Sequence, residues 1–142
     1  MKYTCNEASF ELPDELIDRS VHMLMSPDGT GVSYVITRDR LLEGEALEGF
    51  VSRQLKDLSR QSSKFREISR SPAQWGQRAP HAMGLQIETS FRQQGRDVFQ
   101  RQAVVQLPDT PRVLILTANA FKPFTEHELA QWHKALASCV LA

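Results

Sequence analysis

The sequence predicts an α+β domain: an antiparallel sheet of about six or seven strands with two main helices. Three observations lead there. β-branched and aromatic runs recur between Pro- and Gly-bearing turns, two stretches switch to helical periodicity, and no crossover helix separates the last three strands. A length of 142 residues, 41% of them hydrophobic, suits one domain with its own core. No repeat, linker or low-complexity segment divides the chain, so residues 1–142 are expected to form a single domain.

The elements follow in order. Residues 3–10, YTCNEASF, read as a short first strand before Pro13. Residues 20–26 alternate as a second strand, PDGTG (27–31) turns, and VSYVIT (32–37) returns as a third. Residues 44–62 change period: Leu47, Phe50, Val51, Leu55 and Leu58 fall on one helical face. A short strand is expected near Phe65–Ser69, then a Pro/Gly-rich connection to residue 84. Segments 85–92, 97–107 and 112–120 form a meander, turned at QQG (93–95) and PDTP (108–111). The last helix opens on a capping box, Thr125 at the N-cap and Glu128 three residues on, with Phe124 and Leu129 as its hydrophobic staple. Leu129, Trp132, Leu136 and Val140 make its buried stripe.

Charge and composition narrow the function classes. Acids and bases number 17 each, so no overall field favours nucleic acid or a membrane surface. Residues 1–49 hold ten acids and four bases, whereas 50–112 hold five acids and eleven bases, an asymmetry that reads as two halves complementing each other. The N-terminus lacks an apolar signal-peptide core, and no window approaches 18 apolar residues. A cytoplasmic protein that does not insert into membranes is expected. Cys5 and Cys139, far apart in sequence, make neither a disulfide in a reducing compartment nor a zinc pattern.

Catalytic and metal motifs are missing. His22, His81, His127 and His133 stand in no nucleophile, zinc or phosphate-loop pattern. His127 and His133 lie six apart on a helix and point to different faces. DRSVHMLMS (18–26) places His22 beside Met23 and Met25, yet strand alternation puts Val21, Met23 and Met25 on one face and His22 and Leu24 on the other. No enzyme activity, cofactor or metal is expected.

The strands carry more apolar surface than two helices cover. Val32, Tyr34 and Ile36 oppose Ser33, Val35 and Thr37; Val113 and Ile115 oppose Leu114, Leu116 and Ala118. A sheet with one wet face alternates cleanly instead. Two helices cover roughly one face, so something else must cover the second. The polar residues on these elements are uncharged: Gln100, Gln102 and Gln106 share a strand face with Val98 and Val104. Gln54 lands inside the helical stripe, and Gln61 and Ser62 extend it. The residues alone leave two readings open, an ordinary core or a binding groove.

NEASFELP (6–13), DRSVHMLMS (18–26), VSYVITRD (32–39) and FQRQAVVQL (99–107) together resemble the DcrB-related, PsbP-like proteins, in order and spacing over nearly the whole chain. More narrowly, the chain is similar to the effector-associated (Eag) chaperones of bacterial type VI secretion. The resemblance implies a homodimer whose sheets form a cradle. Its partner would be the N-terminal transmembrane region of a secreted effector bearing a PAAR domain, with no nucleic acid bound. Carried onto this sequence, the client-binding groove comprises Val21, Met23, Ser33, Val35, Gln54, Leu58, Ser62, Val98, Gln100 and Gln102. Met23 stands where the family tends to carry a branched aliphatic, and Ser62 is smaller and more polar than the apolar residue expected there. Rival expectations are a lipid or small-molecule carrier using the same groove, and a regulatory adaptor that binds a folded partner through surface charge.

Overall fold

The computed structural model describes residues 1–77 and 82–141. Six strands form one antiparallel sheet: β3 (His22–Leu24), β4 (Ser33–Arg40), β5 (Ser63–Trp75), β6 (Ala82–Gln93), β7 (Arg96–Gln106) and β8 (Arg112–Ala120). Their lateral order is β3-β4-β8-β7-β6-β5. A separate two-stranded sheet pairs β1 (Lys2–Thr4) with β2 (Ser9–Glu11). Two helices complete the α+β fold, α1 (Leu47–Gln61) and α2 (Glu126–Ala137).

The turns are set by local chemistry. Gln94 and Gly95 join β6 to β7, and both have positive φ (52° and 77°), the two-residue primed turn that matches strand twist. In α2, the Glu128 amide donates to Thr125 Oγ1 (3.1 Å) and the Thr125 amide donates to Glu128 Oε1 (2.9 Å), so the expected capping box forms.

Several elements depart from expectation. The first strand is two, because Cys5–Ala8 turn back and the Cys5 amide donates to the Ala8 carbonyl (3.0 Å). The second strand keeps only residues 22–24. β5 runs 13 residues rather than five, its charged and Pro-bearing sequence accommodated at a sheet edge with two register shifts. Most of the expected connection is therefore strand; Gly76 and Gln77 follow β5, and 78–81, with His81, lie outside the described residues. Val140 stands beyond the end of α2 and is 79% exposed, so it is not part of the helical stripe.

The main correction concerns layering: the helices do not share a face. Phe50, Val51 and Leu55 of α1 pack on Ile87, Val104, Val113 and Ile115. Trp132 and Leu136 of α2 pack on the opposite side, against Ala73, Trp75, Ala103, Val105 and Ala118. The order explains this. α1 links β4 to β5, the far edge, and must cross the sheet to reach it. α2 follows β8 and takes the free side, where the Gly76 amide donates to the Leu136 carbonyl (2.8 Å). Both helices gather towards β5–β7, leaving β3 and β4 sparsely covered on both sides.

Two glycines give opposite expectations. A Cβ at Gly84, in β6, would overlap the Val104 carbonyl oxygen, whereas one at Gly49, in α1, meets only Glu45 Cγ at 3.6 Å. Gly84→Ala is expected to lower unfolding free energy by about 1–3 kcal/mol through overpacking. Gly49→Ala is expected to raise it by about 0.5–1 kcal/mol through helix propensity. Urea denaturation monitored by circular dichroism reads both.

Candidate functional site

Residues directly opposite on neighbouring strands point to the same side, so the register defines rows across the sheet. On the α1 side the first row is Leu85, Val104, Ile115 and Thr37. The next is Ile87, Gln102, Thr117, Val35 and Met23. The third is Thr89, Gln100, Asn119 and Ser33, and Phe91 faces Val98 beyond it. From the first row to the third, aliphatic groups give way to amides and hydroxyls, and the Phe91–Val98 pair beyond is apolar again.

α1 forms one wall over these rows. At 100° per residue, Gln54 and Leu58 point between buried Phe50 and buried Leu55, toward the sheet. Both are only half-buried. Gln54 Nε2 reaches Asp39 Oδ2 on β4 at 3.4 Å, and Ser62, the C-cap, donates to the Leu58 carbonyl (2.7 Å). The wall is anchored at its start: Arg53 donates to both carboxylate oxygens of Glu45 (3.0 and 2.9 Å) and lies 5.2 Å over the Phe50 ring. Hydrogen bonding from Arg53 holds the Glu45 carboxyl below its usual range, so the pair stays ionised near neutral pH.

Together these residues outline a trough on the α1 side: Gln54, Leu58 and Ser62 along or just past α1, Val35, Gln102, Ser33 and buried Gln100 as its floor, and exposed Met23 at the sheet edge. Val98 sits buried at its end. Val21 precedes β3 and has no strand partner; it is 56% exposed at the same edge. Sequence reasoning missed three floor residues, Thr89, Thr117 and Asn119. They were visible only as polar residues inside apolar strands, and the register is what aligns them with the glutamines.

Hydrogen bonding on this floor is incomplete. Gln102 Nε2 donates to Thr117 Oγ1 (3.2 Å), but Thr89 Oγ1 and Asn119 Oδ1 are buried with no partner among the described residues. A buried polar atom left unpaired costs about 1–3 kcal/mol. His22 and Met23 point to opposite sides, as their partners Ile36 and Val35 require. Among the described residues no three of His, Cys, Asp or Glu converge to hold a metal, and no helix is long and apolar enough to cross a membrane.

A shallow, open recess of about 380 Å³ lies on the other side of the sheet, lined by Leu24, Tyr34, Ile36, Leu116, Gln131 and Ala135. Tyr34 stacks on Trp132 there, ring centroids 6.4 Å apart.

The DcrB family model matches residues 7–138. A Pseudomonas aeruginosa protein named Effector EagT6 is 26% identical over 141 residues, covering 97% of this chain and 94% of that protein. The crystal structure of PA94, a Pseudomonas aeruginosa protein of unknown function, superposes with a TM-score of 0.77 at 24% identity, covering 100% of this chain and 96% of the other. That likeness speaks for the fold.

Thr89→Val keeps shape and removes the orphan hydroxyl. It is expected to raise unfolding free energy by about 1 kcal/mol. Thermal and urea unfolding check this; a loss of stability would mean that water or another group satisfies the hydroxyl.

Proposed function

The chain belongs to the DcrB family, and from that premise we propose that it is a cytoplasmic, non-catalytic chaperone for a type VI secretion effector. In this reading one domain, residues 1–142, works as a homodimer. The α1-side trough receives the N-terminal transmembrane helices of an effector bearing a PAAR domain and shields them until loading. Likeness to a protein named Effector EagT6 over nearly the full length supports the class of role. The observation that carries the client assignment is the composition of the trough: apolar Val35, Leu58 and exposed Met23 beside uncharged Gln54, Gln100, Gln102 and Ser33, with no charge among its floor residues.

The energetics suit such a client. Covering apolar surface is favourable by roughly 25 cal/mol per Å², before the entropy cost of association. A membrane helix also presents polar groups at small-residue positions, where backbones normally approach a neighbour closely. Glutamine offers both a donor and an acceptor, and a serine hydroxyl does so on a shorter stem. A trough with both kinds of group gives the helix the contacts of a neighbouring helix without lipid. Charged walls would impose desolvation costs that this floor avoids. No nucleotide or cofactor enters the mechanism.

Met23 and Val21 are 64% and 56% exposed, so a carboxylate at either position costs the fold little, within about 0.5 kcal/mol for an exposed surface site. Met23→Asp and Val21→Asp are therefore expected to abolish co-purification with an effector N-terminal fragment while the melting temperature stays near wild type. In the same co-expression, the fragment is expected to be soluble only with the wild-type chain. A fragment equally soluble without the chain refutes the proposal. Lipid retained by the client-free protein in native mass spectrometry would support the carrier instead.

A further inference from the structure

The α2 side of the sheet carries a second surface, separate from the trough. Trp132 and Leu136 of α2 pack on β5, β7 and Ala118 of β8. Beside them, among the described residues, no helix lies over β3 and β4 on this side. From β3 to β8 the strand axes span about 10 Å, the width of one helix. Register puts Leu24 opposite Tyr34, and Ile36 opposite Leu116, on the floor of this lane. Gln131 and Ala135 of α2 flank it. They stand four residues apart on one helix face, and the small side chain of Ala135 lets a neighbouring helix approach closely.

Shape and charge select the occupant. Small-molecule sites bury most of their ligand, and a free acyl chain in so open a recess would stay wet along much of its length. A protein segment brings its own outer face and needs no deeper pocket. Two and four residues beyond Ile36, on the same face of β4, stand Arg38 and Arg40, and Arg40 lies directly opposite Arg112. All three are exposed. Arg38 is engaged, donating to the Ser20 carbonyl and meeting His22 Nε2, both at 3.4 Å. Arg40 and Arg112 are not: among the described residues neither forms an ion pair. Like charges directly opposite cost stability until a counter-charge arrives. An acid stands at the other end of the lane, where burial, and then the Glu128 carboxylate, pushes the Tyr34 phenol up. The lane is thus apolar in the middle, negative near Tyr34 and positive at Arg40.

We infer that this lane receives an amphipathic helix of a partner protein. Its apolar stripe lies on Leu24, Tyr34, Ile36 and Leu116, and carboxylates gathered in one end turn meet Arg40 and Arg112. From Tyr34 to Arg40 the strand runs about 20 Å, the length of a helix of about 14 residues. Carboxylates are rare in membrane helices, so the helices proposed for the trough do not suit this lane. The two faces of the sheet take different partners.

Fluorescence anisotropy of the full-length chain with a labelled, stapled helical peptide tests it. The probe has about 14 residues, leucines along one face and glutamates in its first turn. Saturable binding is expected, weakened at least about tenfold when the glutamates become glutamines, the scale of one interface hot spot. Leu24 is 56% exposed and Arg40 and Arg112 are exposed, so Leu24→Asp, and Arg40→Glu with Arg112→Glu, leave the fold intact. Each is expected to weaken the acidic peptide at least about tenfold, and a lysine version of the peptide to bind the Arg40→Glu, Arg112→Glu chain in its place. Both variants are expected to keep whatever capture of the effector fragment the wild type shows. No binding by the wild type, equal binding of the glutamate and glutamine peptides, or variants that bind as wild type does overturns the inference. Binding to phosphatidylglycerol vesicles with none to the peptide also overturns it and assigns the arginines to a lipid surface. Loss of fragment capture by the Arg40→Glu, Arg112→Glu chain would give this face to the client, overturning the separate partner while leaving the chaperone role standing.

Discussion

The structure depends on one mismatch, that between a wide sheet and narrow helices. Six strands at about 4.8 Å spacing put roughly 24 Å between the outer strand axes, while one helix covers about 10 Å. With α1 on one side and α2 on the other, each face is covered only in part. Both helices gather over β5–β7, so the uncovered area collects at β3 and β4. Strands apolar on both sides cannot leave that area bare without cost. The fold is stable where it is covered and receptive where it is not.

That division organises everything near the site. Where α1 packs the rows are aliphatic, and two rows on they carry glutamine, threonine, asparagine and serine. The gradient is built by register: Ile115 and Val104 sit one row from Thr117 and Gln102, and two rows from Asn119 and Gln100. The crossing from β4 to β5 carries Gln54 beside Asp39, in the row of Val113, with Leu58 one turn further along α1. On the opposite face the same edge presents Leu24 and Ile36 in an open recess beside Gln131 and Ala135 of α2. One short hairpin, β3–β4, thus offers two unlike surfaces, Met23 and Val35 to one side and Leu24 and Ile36 to the other.

Much of this was legible in the sequence because its determinants are local. The capping box at Thr125, the turn at Gln94–Gly95 and the period-2 strands 85–92, 97–107 and 112–120 depend on neighbours a few residues away. Eight of the ten candidate groove residues lie in elements that form; Val21 falls one residue short of β3 and Ser62 one residue past α1. What was not legible was long-range. Nothing local says that α1 and α2 take opposite faces, since that follows from β5 joining the far edge. β5 itself hid behind Pro72 and its charges, which an edge strand tolerates and a central strand does not. Thr89 and Asn119 became part of the site only once pairing aligned them with Gln100.

The central claim is that the α1 side, and not the α2 side, holds the client. Methyl NMR of the chain with an effector's N-terminal segment tests it most directly, because methyl groups report sides of a sheet separately. The account predicts that the signals of Met23, Val35 and Leu58 shift and broaden on addition of the segment. Those of Ile36 and Leu116 should stay in place. Shifts confined to Ile36 and Leu116, or none at all in a complex that forms, would contradict it.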